Sequence, residues 1–217
     1  MAITRRNFLA TGSQLTMGFA AFAGLPFLTT VSAHAESFDV DKLMEKSNLE
    51  EVALGDENAP VTVIEYFSLT CGHCANFHKT TFKHVEEEYI KTGKVRFIYR
   101  EFPLDPLAAA GAMLARCAPG GNALPMIDLL LDSQRTWAFS DDPVKQLETM
   151  SKQAGFTQES FKECLTNQKL LDDITAVRER GHTEFKVDST PTFFVNGEKH
   201  IGAMSVEEFD KILEPLL

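Results

Sequence analysis

Val61-Thr62-Val63-Ile64-Glu65-Tyr66-Phe67-Ser68-Leu69-Thr70-Cys71-Gly72-His73-Cys74 is the stretch that decides how this chain folds. Its opening run, Val61 to Phe67, is β-branched and aromatic, the composition of a central strand covered on both faces. One position interrupts the apolar run: Glu65, which by simple alternation shares a face with Val61, Val63 and Phe67. An unpaired ionised carboxylate is costly in such a place. The pattern therefore implies a buried acid beneath the cysteines, with a raised pKa and able to exchange protons with Cys74. The alternative is a glutamate at a sheet edge that reaches solvent.

Beyond Cys71 the apolar spacing changes from strand to helix: Cys74, Phe77, Thr81, Phe82, Val85 and Tyr89 fall within one arc of a helical period. Gly93 supplies a stop. Lys94-Val95-Arg96-Phe97-Ile98-Tyr99-Arg100 then reads as a second strand, parallel to the first. This order places Cys71-Gly72-His73-Cys74 at a strand-to-helix junction, where two cysteines are useful for redox chemistry. A thiolate on Cys71 faces the unpaired amides and positive dipole end of the helix, which lower a thiol's pKa, and a cationic His73 adds to the effect. Each unit of depression favours the thiolate by roughly 1.4 kcal/mol. Because the thiolate belongs to the reduced pair, stabilising it makes the disulfide a better oxidant. The competing reading is half of a zinc site, completed by a second pair or by histidines. Cys117 and Cys164 are isolated and far apart, and His73, His78 and His84 read as surface groups of a helix, so no metal is expected.

A long helical block follows. Asp105-Pro106 and Asp142-Pro143 each put a capping side chain before a proline suited to the first helical turn. Helices are expected near residues 106–118, 123–133, 143–154, 158–167 and 169–185, the last aligning Leu170, Ile174, Val177, Gly181 and Phe185 on one face. Cys117 shares an apolar face with Leu107 and Leu114, and Cys164 with Phe161 and Leu165. In an oxidising compartment two such thiols are expected to bridge rather than stay free. A disulfide closing a loop of this length stabilises a fold by roughly 4 kcal/mol on the chain-entropy model.

Strand signals return at Thr192-Phe193-Phe194-Val195, and Asn196-Gly197 is a hairpin turn leading into Glu198-Lys199-His200-Ile201. Ser205-Val206-Glu207-Glu208 is a capping box that opens a helix expected to bury Phe209, Ile212, Leu213 and Leu216. The lead-in, residues 36–60, is of mixed polarity, carries no expected strand and ends in a turn-rich cluster. It is too short for a separate dimerisation domain, so a monomer is expected. The element order is β-α-β, a helical insertion, then β-β-α. That order divides the mature chain at 36–103, 104–185 and 186–217.

Residues 1–35 read as an export signal, with Arg5-Arg6 ahead of an apolar stretch and a small-residue cleavage site at Ala33-His34-Ala35. The moderate apolarity resembles a twin-arginine signal, with a Sec signal as the alternative. Cleavage after Ala35 removes two arginines and no acids, taking the net charge from −10 to −12. A balance this acidic argues against nucleic acid, which needs a basic patch.

With the two-cysteine motif, the upstream acid, the helical insertion and Thr190-Pro191 in this order, residues 36–217 resemble the DsbA family of periplasmic thiol:disulfide oxidoreductases. The likeness is strongest to its alphaproteobacterial members, in which an extra cysteine pair in the helical domain recurs. The resemblance implies an α/β thioredoxin-like fold with an inserted all-helical domain. It also implies Cys71 as the exposed nucleophile, Cys74 as its buried partner, Glu65 as the buried acid, and Thr190-Pro191 as a cis-proline loop facing the cysteines and pairing with substrate peptides. A trans proline opening an edge strand is the alternative for Pro191. Implied partners are reduced secreted proteins and a quinone-linked membrane oxidase similar to DsbB, with no cofactor. Gly-His between the cysteines, in place of Pro-His, resembles protein disulfide isomerase, and threonine before the proline resembles periplasmic isomerases. An isomerase or reductase is therefore the first rival, and a non-catalytic chaperone or metal carrier the second.

Overall fold

The computed structural model describes residues 36–217; the export signal read at residues 1–35 lies outside them. A mixed sheet runs in the order β1 (Val52–Leu54), β3 (Val95–Glu101), β2 (Val61–Phe67), β4 (Thr192–Val195) and β5 (Glu198–Ile201). The stretch that opens the motif is its centre: β2 is parallel to β3 and antiparallel to β4. Its alternation sorts side chains between two cores. Val61, Val63 and Phe67 join Phe97, Tyr99 and Phe193 on one face, while Ile64 and Tyr66 join Ile98, Phe102, Phe185 and Phe194 on the other. Each such side chain fully removed from water contributes about 1.5–3 kcal/mol, so a strand buried on both faces anchors the whole sheet.

On the first face lie α2 (Gly72–Lys79), α3 (Thr81–Val85) and α10 (Val206–Leu213). The Phe77 ring of α2 sits 4.7 Å from that of Phe193 and 5.4 Å from that of Phe209 of α10. On the second face α9 (Gln168–Phe185) packs so closely that a Cβ on Gly181 would stand 2.6 Å from the Tyr66 ring, which only glycine permits. Between β3 and β4 the chain forms α4 (Pro106–Arg116), α5 (Leu124–Asp132), α6 (Gln134–Trp137), α7 (Pro143–Gln153), α8 (Gln158–Leu165) and α9. A buried bidentate ion pair between Arg116 of α4 and Glu101 of β3, with contacts of 2.5 and 2.8 Å, fastens this block to the sheet.

The hairpin turns where its sequence demands, with Asn196 and Gly197 both at positive φ (45° and 90°). The β5 edge is covered by the lead-in, whose Phe38 amide donates to the Gly197 carbonyl (2.8 Å) while the Lys199 amide donates to the Glu36 carbonyl (2.9 Å).

Four features depart from expectation. The lead-in contains a short helix, α1 (Val40–Met44), and β1, whose Val52, Ala53 and Leu54 pair antiparallel with Tyr99, Ile98 and Phe97. Three residues are too few to display a strand period. The helix expected to continue past Cys71 breaks at Thr80 (φ −114°, ψ −83°), and after α3 the chain makes a π-helical turn over Glu86–Ile90. At the break, Thr80 Oγ1 donates to the Asn76 carbonyl (2.8 Å) and Thr81 Oγ1 to the Met204 carbonyl (2.8 Å), side-chain bonds that compete with a continuous helix. The apolar arc survives the break, since Cys74, Phe77, Thr81, Phe82, Val85 and Tyr89 are all buried. The short helix α6, four residues long, falls between two expected helices where none was expected. Leu216, expected in the core, is 43% exposed because Pro215 turns the last residues into a 3-10 helix, Glu214–Leu216.

Candidate active site

Cys71 is the N-cap of α2, in extended conformation (φ −78°, ψ 117°), with no acidic residue in the first turn. Its sulfur lies 3.2 Å from the Thr190 carbonyl, to which the thiol donates, and the Thr190-Pro191 bond is cis. Cys71 is only 9% exposed, with its sulfur against the Thr190 carbonyl, and not the exposed nucleophile that the resemblance implied; Cys74, one helical turn on, has no exposed surface, and both are free thiols.

The two sulfurs differ sharply in acidity. Cys71 is lowered from its ordinary value near 9 to about 5. The chief cause is the Cys74 thiol donating to it. The Thr190 hydroxyl and the backbone amides of Cys74 and His73 add to that against the cost of burial. The Thr190 hydroxyl, buried with no other partner, is free to turn toward the anion. His73 contributes its backbone amide, and its side chain is exposed. Burial pushes the Cys74 thiol well up, and the bond it donates to Cys71 together with the nearby charges of Glu65 and Cys71 raise it further.

Glu65 lies in β2 with Phe193 and Tyr99 as its cross-strand neighbours, and is 2% exposed. Burial raises its pKa well above the carboxylate range, and a charge on Cys71 raises it further. A solvent-reaching edge position is thereby excluded. The site thus joins one thiol that ionises readily, one that resists ionisation, and a buried acid coupled to both.

Residues unremarked in the sequence hold the turn between β2 and α2. Ser68 Oγ lies 3.2 Å from Thr70 Oγ1, which donates to Asp105 Oδ2 at 2.6 Å. Asp105 also caps α4 by accepting from the Ala108 amide (2.8 Å). From α6, the buried Gln134 side chain donates to the carbonyls of Leu69 (2.8 Å) and Cys71 (2.9 Å). The cap at Asp105 was visible as Asp-Pro; its grip on Thr70 and the whole role of Gln134 are long-range, and no local pattern announces them.

The second cysteine pair sits elsewhere. Cys117, just past α4, and Cys164 of α8 are joined by a disulfide with Cα atoms 6.1 Å apart. Of the histidines weighed as zinc ligands, His73 is exposed, His78 is buried with its ring stacked on Phe82, and His84 pairs with Asp210 at 2.8 Å. Among the described residues no group of three or more His, Cys, Asp or Glu is gathered as a metal site. A cavity of about 660 Å³, bordered by Arg96, Arg100, Arg116 and Arg180, includes none of Cys71, Cys74, Glu65 or Thr190 in its lining.

Residues 47–215 match the family model described as Thioredoxin. A Rickettsia bellii protein described as a protein-disulfide oxidoreductase is 33% identical over 162 residues, 72% of this chain and 61% of the relative. Its Rickettsia felis counterpart is 33% identical over 178 residues, 80% of this chain and 64% of the relative. The chain thus spans less than two thirds of the length of these relatives. The crystal structure of Wolbachia pipientis alpha-DsbA1 superposes with a TM-score of 0.75 at 28% identity, covering 82% of this chain and 96% of that one. With its two thiols at the head of α2, its cis-proline loop beside them and six helices set between β3 and β4, this chain is a DsbA-like member of the thioredoxin family.

Proposed function

We propose that this protein is an exported thiol:disulfide oxidoreductase that donates the Cys71–Cys74 disulfide to folding secreted proteins. The observation that carries the reading is the split in acidity across one helical turn, with Cys71 held at about 5 and Cys74 pushed well up. A substrate thiolate attacks Cys71 Sγ of the disulfide. The Cys71–Cys74 bond breaks, Cys74 leaves with the electron pair, and its high proton affinity draws a proton from Glu65. A second substrate thiolate then attacks the substrate sulfur of the mixed disulfide, and Cys71 leaves as a stable anion. Two electrons have passed from substrate to enzyme. Thr190-Pro191, against the Cys71 sulfur, offers backbone groups to an extended substrate peptide.

The export segment and the Cys117–Cys164 disulfide support a periplasmic location, reached by the twin-arginine route, with the signal then removed by cleavage after Ala35. Among the described residues no helix is long and apolar enough to cross a membrane. The protein acts as a monomer without a bound cofactor, its sheet domain (36–103 and 186–217) interrupted by the helical domain (104–185). Reoxidation falls to a quinone-linked membrane partner similar to DsbB. The alternative favoured by Gly72-His73 and Thr190 uses the same residues, with the flow of electrons reversed for a reductase and no net flow for an isomerase.

Equilibration of purified protein with glutathione buffers separates the directions. The oxidase reading expects a potential nearer DsbA's, about −120 mV, than thioredoxin's, about −270 mV. A value near thioredoxin's overturns it in favour of a reductase. Trapping on a Cys74→Ala variant, which cannot resolve its mixed disulfides internally, then identifies the substrates.

A further inference from the structure

Gln134 opens α6, a helix of four residues. Its side chain is 3% exposed, and its Nε2 spends both of its N–H donors on one piece of backbone, the carbonyls of Leu69 and Cys71. That backbone is the turn that hands β2 over to α2. The Cys71 carbonyl also accepts from the Ala75 amide of α2 at 3.1 Å, so Gln134 and the first turn of the helix hold the same oxygen.

We propose that Gln134 is a positioning residue: it fixes the Leu69–Cys71 turn against the helical block and so sets how strongly the Cys71–Cys74 pair oxidises its substrates. The inference rests on the redox reading above. Two physical effects act in the same direction. The amide donors neutralise the negative ends of two carbonyl dipoles in the turn that carries the Cys71 thiolate. They also hold Cys71 in the extended N-cap conformation in which the sulfur faces the amides of His73 and Cys74. Loss of the clamp destabilises the thiolate. The reduced pair becomes less favoured, and the disulfide becomes a weaker oxidant.

The test is ultraviolet titration of Cys71 in the reduced, full-length mature protein, paired with its glutathione equilibrium, in three variants. Gln134→Met keeps volume and removes the donors. Its Cys71 midpoint is expected to rise by about one pH unit, and its glutathione equilibrium to move about tenfold toward the disulfide, equivalent to about 30 mV. Gln134→Glu keeps the shape but sets a carboxyl against two carbonyls, and is expected to raise the midpoint further. Trp137→Phe is the control: it removes the Nε1 bond from α6 to the Leu130 carbonyl of α5 (2.8 Å) and leaves both Gln134 donors on the Leu69 and Cys71 carbonyls. It is expected to lower the melting temperature and leave the midpoint in place. A folded Gln134→Met protein with the wild-type midpoint overturns the proposal, as does an equal movement in Trp137→Phe. Should Gln134→Met fail to fold, Gln134→Glu is judged by the same two outcomes. A wild-type Cys71 that titrates as an ordinary thiol is a different failure, that of the redox reading itself.

Discussion

Cys71 and Cys74 are three residues apart and stand as free thiols, whereas Cys117 and Cys164 are 47 residues apart and are bridged. The near pair straddles the first turn of α2, where amides, a hydroxyl and a neighbouring thiol all point at one sulfur. The far pair ties the end of α4 to α8 among apolar side chains, with Cys164 4% exposed. Proximity in sequence is therefore not what makes a cysteine pair reactive. Donors aimed at one sulfur stabilise its anion and keep the bond exchangeable, while an apolar setting and a long closed loop give a bond whose role is mechanical.

The largest effect that probes this contrast is removal of the far pair. A Cys117→Ala/Cys164→Ala variant is expected to lose up to about 4 kcal/mol of stability on the chain-entropy model, read as a lower urea midpoint. Its Cys71 titration should stay where it is. Movement of that titration by a full pH unit would show that the two pairs are coupled through the helical block.

Next in size is Glu65→Gln. The Glu65 pKa is raised, so the carboxyl costs stability as pH rises from the ordinary carboxylate range through its folded value. The variant should match the wild type near pH 4 and exceed it at pH 8 in thermal unfolding of the oxidised protein. Steps that move a proton at Cys74 should slow, on the order of 10²-fold in stopped-flow exchange with a model dithiol. An unchanged rate would reduce Glu65 to a packing group.

The smallest effect belongs to Thr190→Val, which removes the hydroxyl donor and keeps the carbonyl. Its Cys71 midpoint should rise by less than about one pH unit, the worth of one modest hydrogen bond. A fall in the midpoint would contradict the assignment of that hydroxyl to the thiolate.

The parts of this molecule that could be read from sequence are those whose cause is local. Val61–Phe67 carries its burial in its own composition, Asn196-Gly197 its turn in its own backbone preference, and Ser205 to Glu208 its cap in two reciprocal bonds that the structure shows. The two-cysteine motif and Thr190 adjoin strand ends, and Glu65 stands out as the one charged residue within β2. What stayed hidden depends on distant partners. The β1 strand exists because Tyr99, Ile98 and Phe97 offer it an edge, and α3 separates from α2 because Thr81 finds the Met204 carbonyl. Gln134 reaches Cys71 across 63 residues of chain, a distance over which no periodicity carries information.

That Cys71 is the readily ionised thiol is tested by its titration in reduced wild-type protein, followed by thiolate absorbance. Cys74 is raised well above the range and leaves the signal to Cys71. A depressed pKa also implies that the reduced fold gains stability over the oxidised one as pH climbs from about 5 toward 9 and loses that gain as pH falls back through 5. The expected titration midpoint is near 5. A midpoint near 9, that of a thiol with no donors around it, would contradict it.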